Sequence, residues 1–281
     1  MSFQNNIFYL KVKDYSVSKE IFELHHNPEY DMLLTFPKPT LEKLASYYES
    51  EDYISHTDGK RSLFERMYHL IKNIALKKKV NLINVQSQKG KLLDIGAGTG
   101  DFLVAAKKNG WQITGVEPNE KAQTIAIAKG VNFAANLSDL ENNTFDVITM
   151  WHVLEHVPNL DDYIIELKRL LKPNGTILIA VPNFKSFDAN YYGRFWAAFD
   201  VPRHIWHFSK TAIEKIFAEK EMKLVEVLPM KFDSFYVSLL SEKYKTGKMN
   251  FIKAFFVGLK SNTSAKQTKE YSSHIYVIKN K

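Results

Sequence analysis

Leu92-Leu93-Asp94-Ile95-Gly96-Ala97-Gly98-Thr99-Gly100-Asp101-Phe102 sets a short apolar run, a glycine-rich turn and the start of a helical pattern in direct succession. Such a turn lies at the carboxyl end of a strand, where open α/β sheets bind their ligands. Glycines there let the backbone come close to a ligand and take positive φ. Outward from the turn the chain keeps a β-α-β rhythm. KLLDIG, WQITGVEP, VNFA and FDVITMW read as strands, with helices predicted over 101–108 and 120–129. A helix over 160–171, the turn Lys172-Pro173-Asn174-Gly175 and the strand TILIAVP follow, and a helix capped by Ser209 runs to about Glu219. MKLVEVL and SSHIYVIK supply the last two strands. Before the sheet, apolar residues at helical spacing from Leu63 to Leu76 predict an amphipathic helix over 61–82.

The glycine turn alone does not name a ligand. Dinucleotide enzymes use a G-x-G-x-x-G pattern whose helix N-terminus holds a pyrophosphate. Here the third glycine comes one place early, and Asp101 stands where that pattern has glycine. A carboxylate there faces a pyrophosphate unfavourably. Glu117, in Gly115-Val116-Glu117-Pro118 at the end of the second strand, is placed to accept hydrogen bonds from both hydroxyls of a ribose. Its spacing supports an adenosine ligand without choosing which.

LLDIGAGTGDF, VEPN, FDVITMWHVLEHVPN and LKPNGTILIAVPN, spanning about residues 88–183, together resemble the class I S-adenosylmethionine-dependent methyltransferases, in particular the group that includes ubiquinone-pathway O-methyltransferases. The resemblance implies an α/β fold with a doubly wound, Rossmann-like, seven-stranded, mostly parallel sheet whose last strand is antiparallel. It implies S-adenosylmethionine as cofactor, S-adenosylhomocysteine as product, and transfer to oxygen or nitrogen of a small-molecule acceptor. Asp94 and the backbone of Gly96, Ala97 and Gly98 are then expected beside the methionine moiety, and Glu117 and Pro118 at the ribose. Leu137 and Ser138 are expected in a turn against adenine, with Asp139 either near its amino group or an ordinary loop carboxylate, and Met150, Trp151 and His152 along the cofactor's exposed side. This cofactor has no phosphate, so Asp101 is no obstacle to it. Two rivals stand beside this reading. A nicotinamide-dependent oxidoreductase on a similar sheet is disfavoured by Asp101 and the reversed strand, and a catalytically silent adenosine-binding module by the retained cofactor pattern.

His152-Val153-Leu154-Glu155-His156 is a literal H-x-x-E-H, the string of one group of zinc peptidases. Pro158 follows at once and the segment leaves a strand, so no sustained helix is expected and no metal is assigned. The resemblance adds a second reading, a divalent ion near Glu155 and His156; a substrate-facing or structural histidine is preferred. The aromatic loop 183–208, with Tyr191, Tyr192, Phe195, Trp196, Phe199 and Trp206, and the insertion 229–268 are expected to form a lid over a moderately hydrophobic acceptor. His156 and His204 are candidate bases, with His152 and His207 also in view. Arg203 is expected either to hold an anionic group of the acceptor or to pin the loop through Asp200.

Residues 61–281 read as the catalytic domain and 1–60 as an aromatic, irregular docking or cap element. Within it, FELHHNPEYDMLLTFPKP resembles a zinc-ribbon leader whose C-x-x-C would fall near Asn27 and Tyr30, where this chain has no cysteine. Tyr53 and His56 are expected either to close over the cofactor or to pack and face solvent. The absence of cysteine from all 281 residues excludes disulfides, thiolate metal sites and cysteine nucleophiles. The most apolar stretch, Phe251 to Leu259, holds Lys253 and is too short to cross a membrane, and no signal-peptide cleavage pattern opens the chain. A cytoplasmic protein is expected, with its oligomeric state unread. The net charge of +7 comes from scattered lysines, the one dense run being Lys77 to Lys79 near the expected helix end. This reads as a solvated face rather than a nucleic-acid site.

Overall fold

The computed structural model describes residues 3–48 and 63–281, so Tyr53 and His56 lie outside the described residues. The N-terminal element departs from the irregular segment expected. β1 (Ile7–Lys13), β2 (Ile21–Asn27) and β3 (Met32–Phe36) form an antiparallel meander. The period of two is visible in β2, where Phe22 and Leu24 are buried between more open Ile21, Glu23 and His25. At the tip, where a zinc ribbon would carry its cysteines, the Asn27 side chain closes the turn by accepting from the Tyr30 N–H at 3.0 Å. No metal is needed for that geometry.

A short helix α1 (Leu41–Ser46) follows, and α2 (Leu63–Gln86) runs beyond the expected end at residue 82. The lysine run therefore lies inside the helix rather than at its end. Lys79 places its ammonium 4.3 Å from the Trp151 ring centroid, and Lys78 lies 4.8 Å from that of Phe232, so two of the three cover apolar surface.

The glycine turn joins β4 (Lys91–Ile95) to α3 (Asp101–Lys108); β5 (Gln112–Val116), α4 (Glu120–Ala128), β6 (Phe145–Trp151), α5 (Leu160–Leu170) and β7 (Leu171–Pro182) continue the alternation. After α6 (Phe187–Tyr192) and β8 (Trp206–His207) come α7 (Lys210–Ala218), β9 (Met222–Pro229), the helices α8 (Asp233–Thr246) and α9 (Phe251–Thr268), and β10 (Ser273–Asn280). The main sheet has the order β5-β4-β6-β7-β10-β9. β10 alone runs antiparallel to its neighbours. The expected count of seven strands becomes six among the described residues. VNFA reaches the edge of β5 but contributes only a parallel bridge, Gly115 to Phe133, because its pairing extends no further. The turn at 172–175 loops out of the ladder, which pairs Phe145 with Leu171 and resumes at Val147 with Thr176.

Alternation along the strands supplies both faces. Leu93, Ile148, Ile177 and Tyr276 pack with Ile164 and Leu167 of α5 and Ile213 and Phe217 of α7. Leu92, Val147, Leu178 and Val277 pack with Ile83 of α2 and Leu103 and Ala106 of α3. A separate core joins the two insertions to the meander: Trp196, Phe199 and Tyr192 of the aromatic loop lie with Phe22, Leu24, Leu33 and Val257. Most of the loop's aromatics are thus packed, and β8 pairs with β3 as the fourth strand of the N-terminal sheet. Asp188, wholly buried, ties the assembly by accepting from Trp196 Nε1 (2.8 Å), Ser261 Oγ (2.7 Å) and Ser272 Oγ (2.7 Å).

Candidate active site

The turn after β4 is stitched to its neighbour: the N–H groups of Gly96 and Ala97 both donate to Val116 O, at 2.8 and 3.2 Å. Gly96, Gly98 and Gly100 have φ of +70°, +52° and +76°. Each is glycine for a different neighbour. A Cβ on Gly96 would lie 2.4 Å from Val153 Cγ2 and one on Gly100 2.8 Å from Ala126 Cβ, whereas one on Gly98 would meet nothing within 4 Å. Gly98 therefore faces open space, the cradle left between the turn and Glu117. Its N–H donates to Glu117 Oε2 at 2.8 Å, and Glu117 Oε1 accepts from the Asn119 N–H at 2.9 Å, so the carboxylate is fixed at the end of β5. Pro118 beside it is exposed.

Asp94 is buried and accepts from Thr149 Oγ1 at 2.6 Å. Burial pushes its carboxyl up to about 7, against the opposing effects of the Thr149 bond and the Lys79 charge. Such a group gains from an arriving cation, which fits the ammonium of a methionine moiety. On the far side, Leu137 and Ser138 form a short 3-10 turn with Asp139. Asp139 Oδ2 accepts from the Asn136 N–H at 3.0 Å and so caps its own turn. Arg169, which the sequence reading did not single out, donates to Leu137 O (3.0 Å) and Leu140 O (2.8 Å) and pairs with Glu166. Asp101 is neutralised by Lys72 at 2.6 Å and Lys129 at 2.7 Å.

Beyond the cradle the chain leaves β6 through His152, whose φ of +60° is unusual for a residue with a Cβ. The Met150 side chain is fully buried in the core, so only its main chain can face a cofactor. Trp151 packs edge-on against Phe102, with its ring under Lys79. His152 Nε2 lies 3.1 Å from Asp233 at the start of α8, and Nδ1 lies 3.5 Å from Glu155. Burial alone would lower its pKa, but the two carboxylates raise it to about 10. His152 is therefore an imidazolium at neutral pH and holds the insertion against the end of β6. His156 is the opposite case: burial and the neighbouring His204 bring it down to about 4, leaving it neutral, with Nδ1 2.9 Å from Tyr48 Oη and 3.1 Å from Arg203 O.

Glu155 is 1% exposed, and both its carboxylate oxygens lack a hydrogen-bond partner among the described residues. His204 turns Nε2 toward it at 4.0 Å while Nδ1 lies 2.9 Å from Ala198 O. Glu155, His156 and His204 present ligand atoms all within 4.8 Å of one another, a donor set that fits a divalent cation. The sequence reading named His204 as a candidate base but did not join it to Glu155 and His156 as a third donor, because it comes from the loop before β8, far along the chain.

Residues 61–227 match the family model described as a methyltransferase domain. The chain belongs to this methyltransferase family. A relative named ubiquinone biosynthesis O-methyltransferase, from Rickettsia prowazekii, is 27% identical over 205 residues, which cover 66% of this chain and 80% of the relative. A SAM-dependent methyltransferase from Archaeoglobus fulgidus superposes with a TM-score of 0.53 at 17% identity, covering 78% of this chain and all of that one. The Haemonchus contortus phosphoethanolamine N-methyltransferase 2, in complex with phosphomonomethylethanolamine and S-adenosylhomocysteine, gives 0.53 at 16% identity, covering 88% of this chain and 62% of that one. These two structures share the fold. The protein is an S-adenosylmethionine-dependent methyltransferase, and no described helix is long and apolar enough to cross a membrane.

In this methyltransferase the Arg203 guanidinium is fully engaged. It pairs with Asp200 through Nε at 2.9 Å and through Nη2, donates from Nη1 to Tyr47 O at 2.9 Å and from Nη2 to Ser16 Oγ at 2.7 Å, and lies 3.7 Å from Asp14. His207 is buried, with Nε2 3.1 Å from Thr35 Oγ1. Of the residues named from sequence, Asp94, the glycine turn and Glu117 come together on one side, and His152, His156 and His204 on the other. Asp233, Thr149, Lys79 and Arg169 join them without a sequence signal that set them apart from ordinary polar residues.

Proposed function

We propose that the enzyme methylates a small, moderately apolar acceptor carrying a hydroxyl, between the cofactor cradle and the Glu155–His156–His204 cluster. Bound at the cradle, S-adenosylmethionine supplies a sulfonium methyl for in-line displacement. This chain aligns the acceptor, keeps water out and takes up the hydroxyl proton. The single observation that supports the reading is the cluster itself: Glu155, whose buried carboxylate oxygens accept no hydrogen bond among the described residues, lies with His156 and His204 so that their ligand atoms are all within 4.8 Å of one another. His204 is the preferred base: its Nε2 lies 4.0 Å from the Glu155 carboxylate, while Nδ1 lies 2.9 Å from Ala198 O, which orients the ring. His152 already carries its proton and cannot serve. The name of the Rickettsia relative supports oxygen as the accepting atom. Arg203 acts in this reading as the anchor of the loop rather than as a contact for the acceptor.

Calorimetry with S-adenosylhomocysteine tests the cradle. Glu117→Ala removes a charged acceptor of two ribose bonds, each worth about 1.5 to 3 kcal/mol, so affinity should fall at least about tenfold. No binding by the wild type, or preference for a nicotinamide dinucleotide, would sink the assignment.

One observation favours a second reading, in which a divalent cation sits among Glu155, His156 and His204: the carboxylate that no hydrogen bond satisfies. It would bind the Glu155 carboxylate beside His152 and polarise an acceptor oxygen. Turnover that survives exhaustive chelation supports the metal-free route. Turnover lost to the chelator and restored by magnesium or zinc assigns the cluster to the metal.

A further inference from the structure

α9 buries one face and shows solvent another that is just as apolar. Ala254, Val257, Gly258, Ser261 and Ala265 are buried. On the opposite side Ile252 is 74% exposed, Phe256 62%, Phe255 54% and Leu259 46%, and Met249 in the preceding turn is 44% exposed. These residues recur at helical spacing and form a continuous stripe. The chain around them is strongly basic. Between residues 231 and 269 there are eight lysines and two carboxylates, so this hairpin carries +6 of the chain's net +7. Both carboxylates are engaged inside the molecule, Asp233 with His152 at 3.1 Å and Glu242 with Lys253 at 3.2 Å. Lys243, Lys245, Lys248, Lys260 and Lys266 are exposed, Lys245 and Lys260 lying over the rings of Tyr191 and Phe187.

We propose that the α8–α9 hairpin is a peripheral docking surface for an anionic lipid bilayer, with the apolar stripe of α9 entering the interface and the lysines meeting the headgroups. An exposed apolar face bordered by lysines, on a helix too polar to span, is the pattern of a helix lying in the membrane plane. A second copy of the chain fits less well. In a two-fold contact the stripe would face itself, and the two sets of lysines would be brought together without carboxylates to offset them. The surface is separate from the cradle, so its failure leaves the enzymatic reading intact.

Vesicle co-sedimentation of the full chain tests this. Binding is expected to phosphatidylcholine vesicles in which about a third of the lipid is phosphatidylglycerol, and to weaken steeply with salt. Pure phosphatidylcholine should bind at least about tenfold more weakly. The double variant Ile252→Ser/Phe256→Ser should lose binding at least about tenfold, because apolar insertion is removed. Lys248→Glu/Lys260→Glu should lose the preference for anionic lipid. Unchanged melting temperature and S-adenosylhomocysteine affinity in both variants would show that the fold persists. Absence of vesicle binding, equal binding to both lipid compositions, or retention by the serine variant overturns the proposal. So does a wild-type dimer in sedimentation equilibrium that the serine variant abolishes, since the face would then join two copies.

Discussion

Three glycines that look equivalent in LLDIGAGTGD do different work. Positive φ makes a side chain costly at each, by roughly 1–2 kcal/mol. At Gly100 the added methyl also meets Ala126 and Val131 of the packed core, while at Gly98 it meets only the open cradle. Gly98→Ala should therefore remain folded, losing about 1–2 kcal/mol in urea denaturation, yet lose most of its affinity for S-adenosylhomocysteine. Gly100→Ala should lose distinctly more stability, and the portion that folds should still bind. The reverse pattern would place the ligand away from Gly98. The requirement for glycine was legible in the sequence. Which glycine meets a ligand was not, because that depends on where α4 packs.

At the scale of elements, the loop between β7 and α7 is held by ion pairs and buried rings. Arg203 joins three segments remote in sequence: the turn after β1 at Asp14 and Ser16, the end of α1 at Tyr47, and its own loop at Asp200. Removing the cation takes from half-buried Asp200 its ion pair and from Tyr47 O and Ser16 Oγ a donor, a loss of up to about 3–5 kcal/mol. Arg203→Ala should lower the unfolding free energy by that order while the surviving enzyme keeps its KM for acceptor. A raised KM with unchanged stability would return Arg203 to the substrate. Sequence reading offered the Asp200 pair as one of two alternatives for Arg203, and that pair is present. It could not count the other partners, which arrive through the meander and α1. The same limit explains the aromatics of 183–208, whose number suggested a pocket lining. Trp196 and Phe199 instead fill a second core, because the N-terminal sheet offers Phe22, Leu24 and Leu33 as partners.

Over the whole molecule, stability should carry the mark of His152. Its folded pKa, raised to about 10 from 6.5, means that its stabilisation is fully present below about pH 6.5 and is lost as pH rises through about 10. The difference in unfolding free energy between wild type and His152→Asn, a residue that tolerates positive φ, should therefore shrink steadily between those values. Denaturant titrations across that range measure it, and a pH-independent difference would mean that Asp233 and Glu155 do not hold the imidazolium. His156, brought down to about 4, acts in the opposite sense: its neutral burial favours the fold above about pH 6.5 and opposes it as pH falls through about 4. By itself the sequence determined the alternation of strands and helices, the glycine turn and Glu117, because period, turn chemistry and capping act over a few neighbouring residues, while the reversed last strand was implied by the resemblance. Tertiary structure alone decided the sixth and last full strand of the sheet, the N-terminal meander and its borrowed β8, and the meeting of Glu155, His156, His204 and Asp233. Those depend on burial and charge between segments far apart in the chain, and local pattern carries no record of which distant partner will arrive.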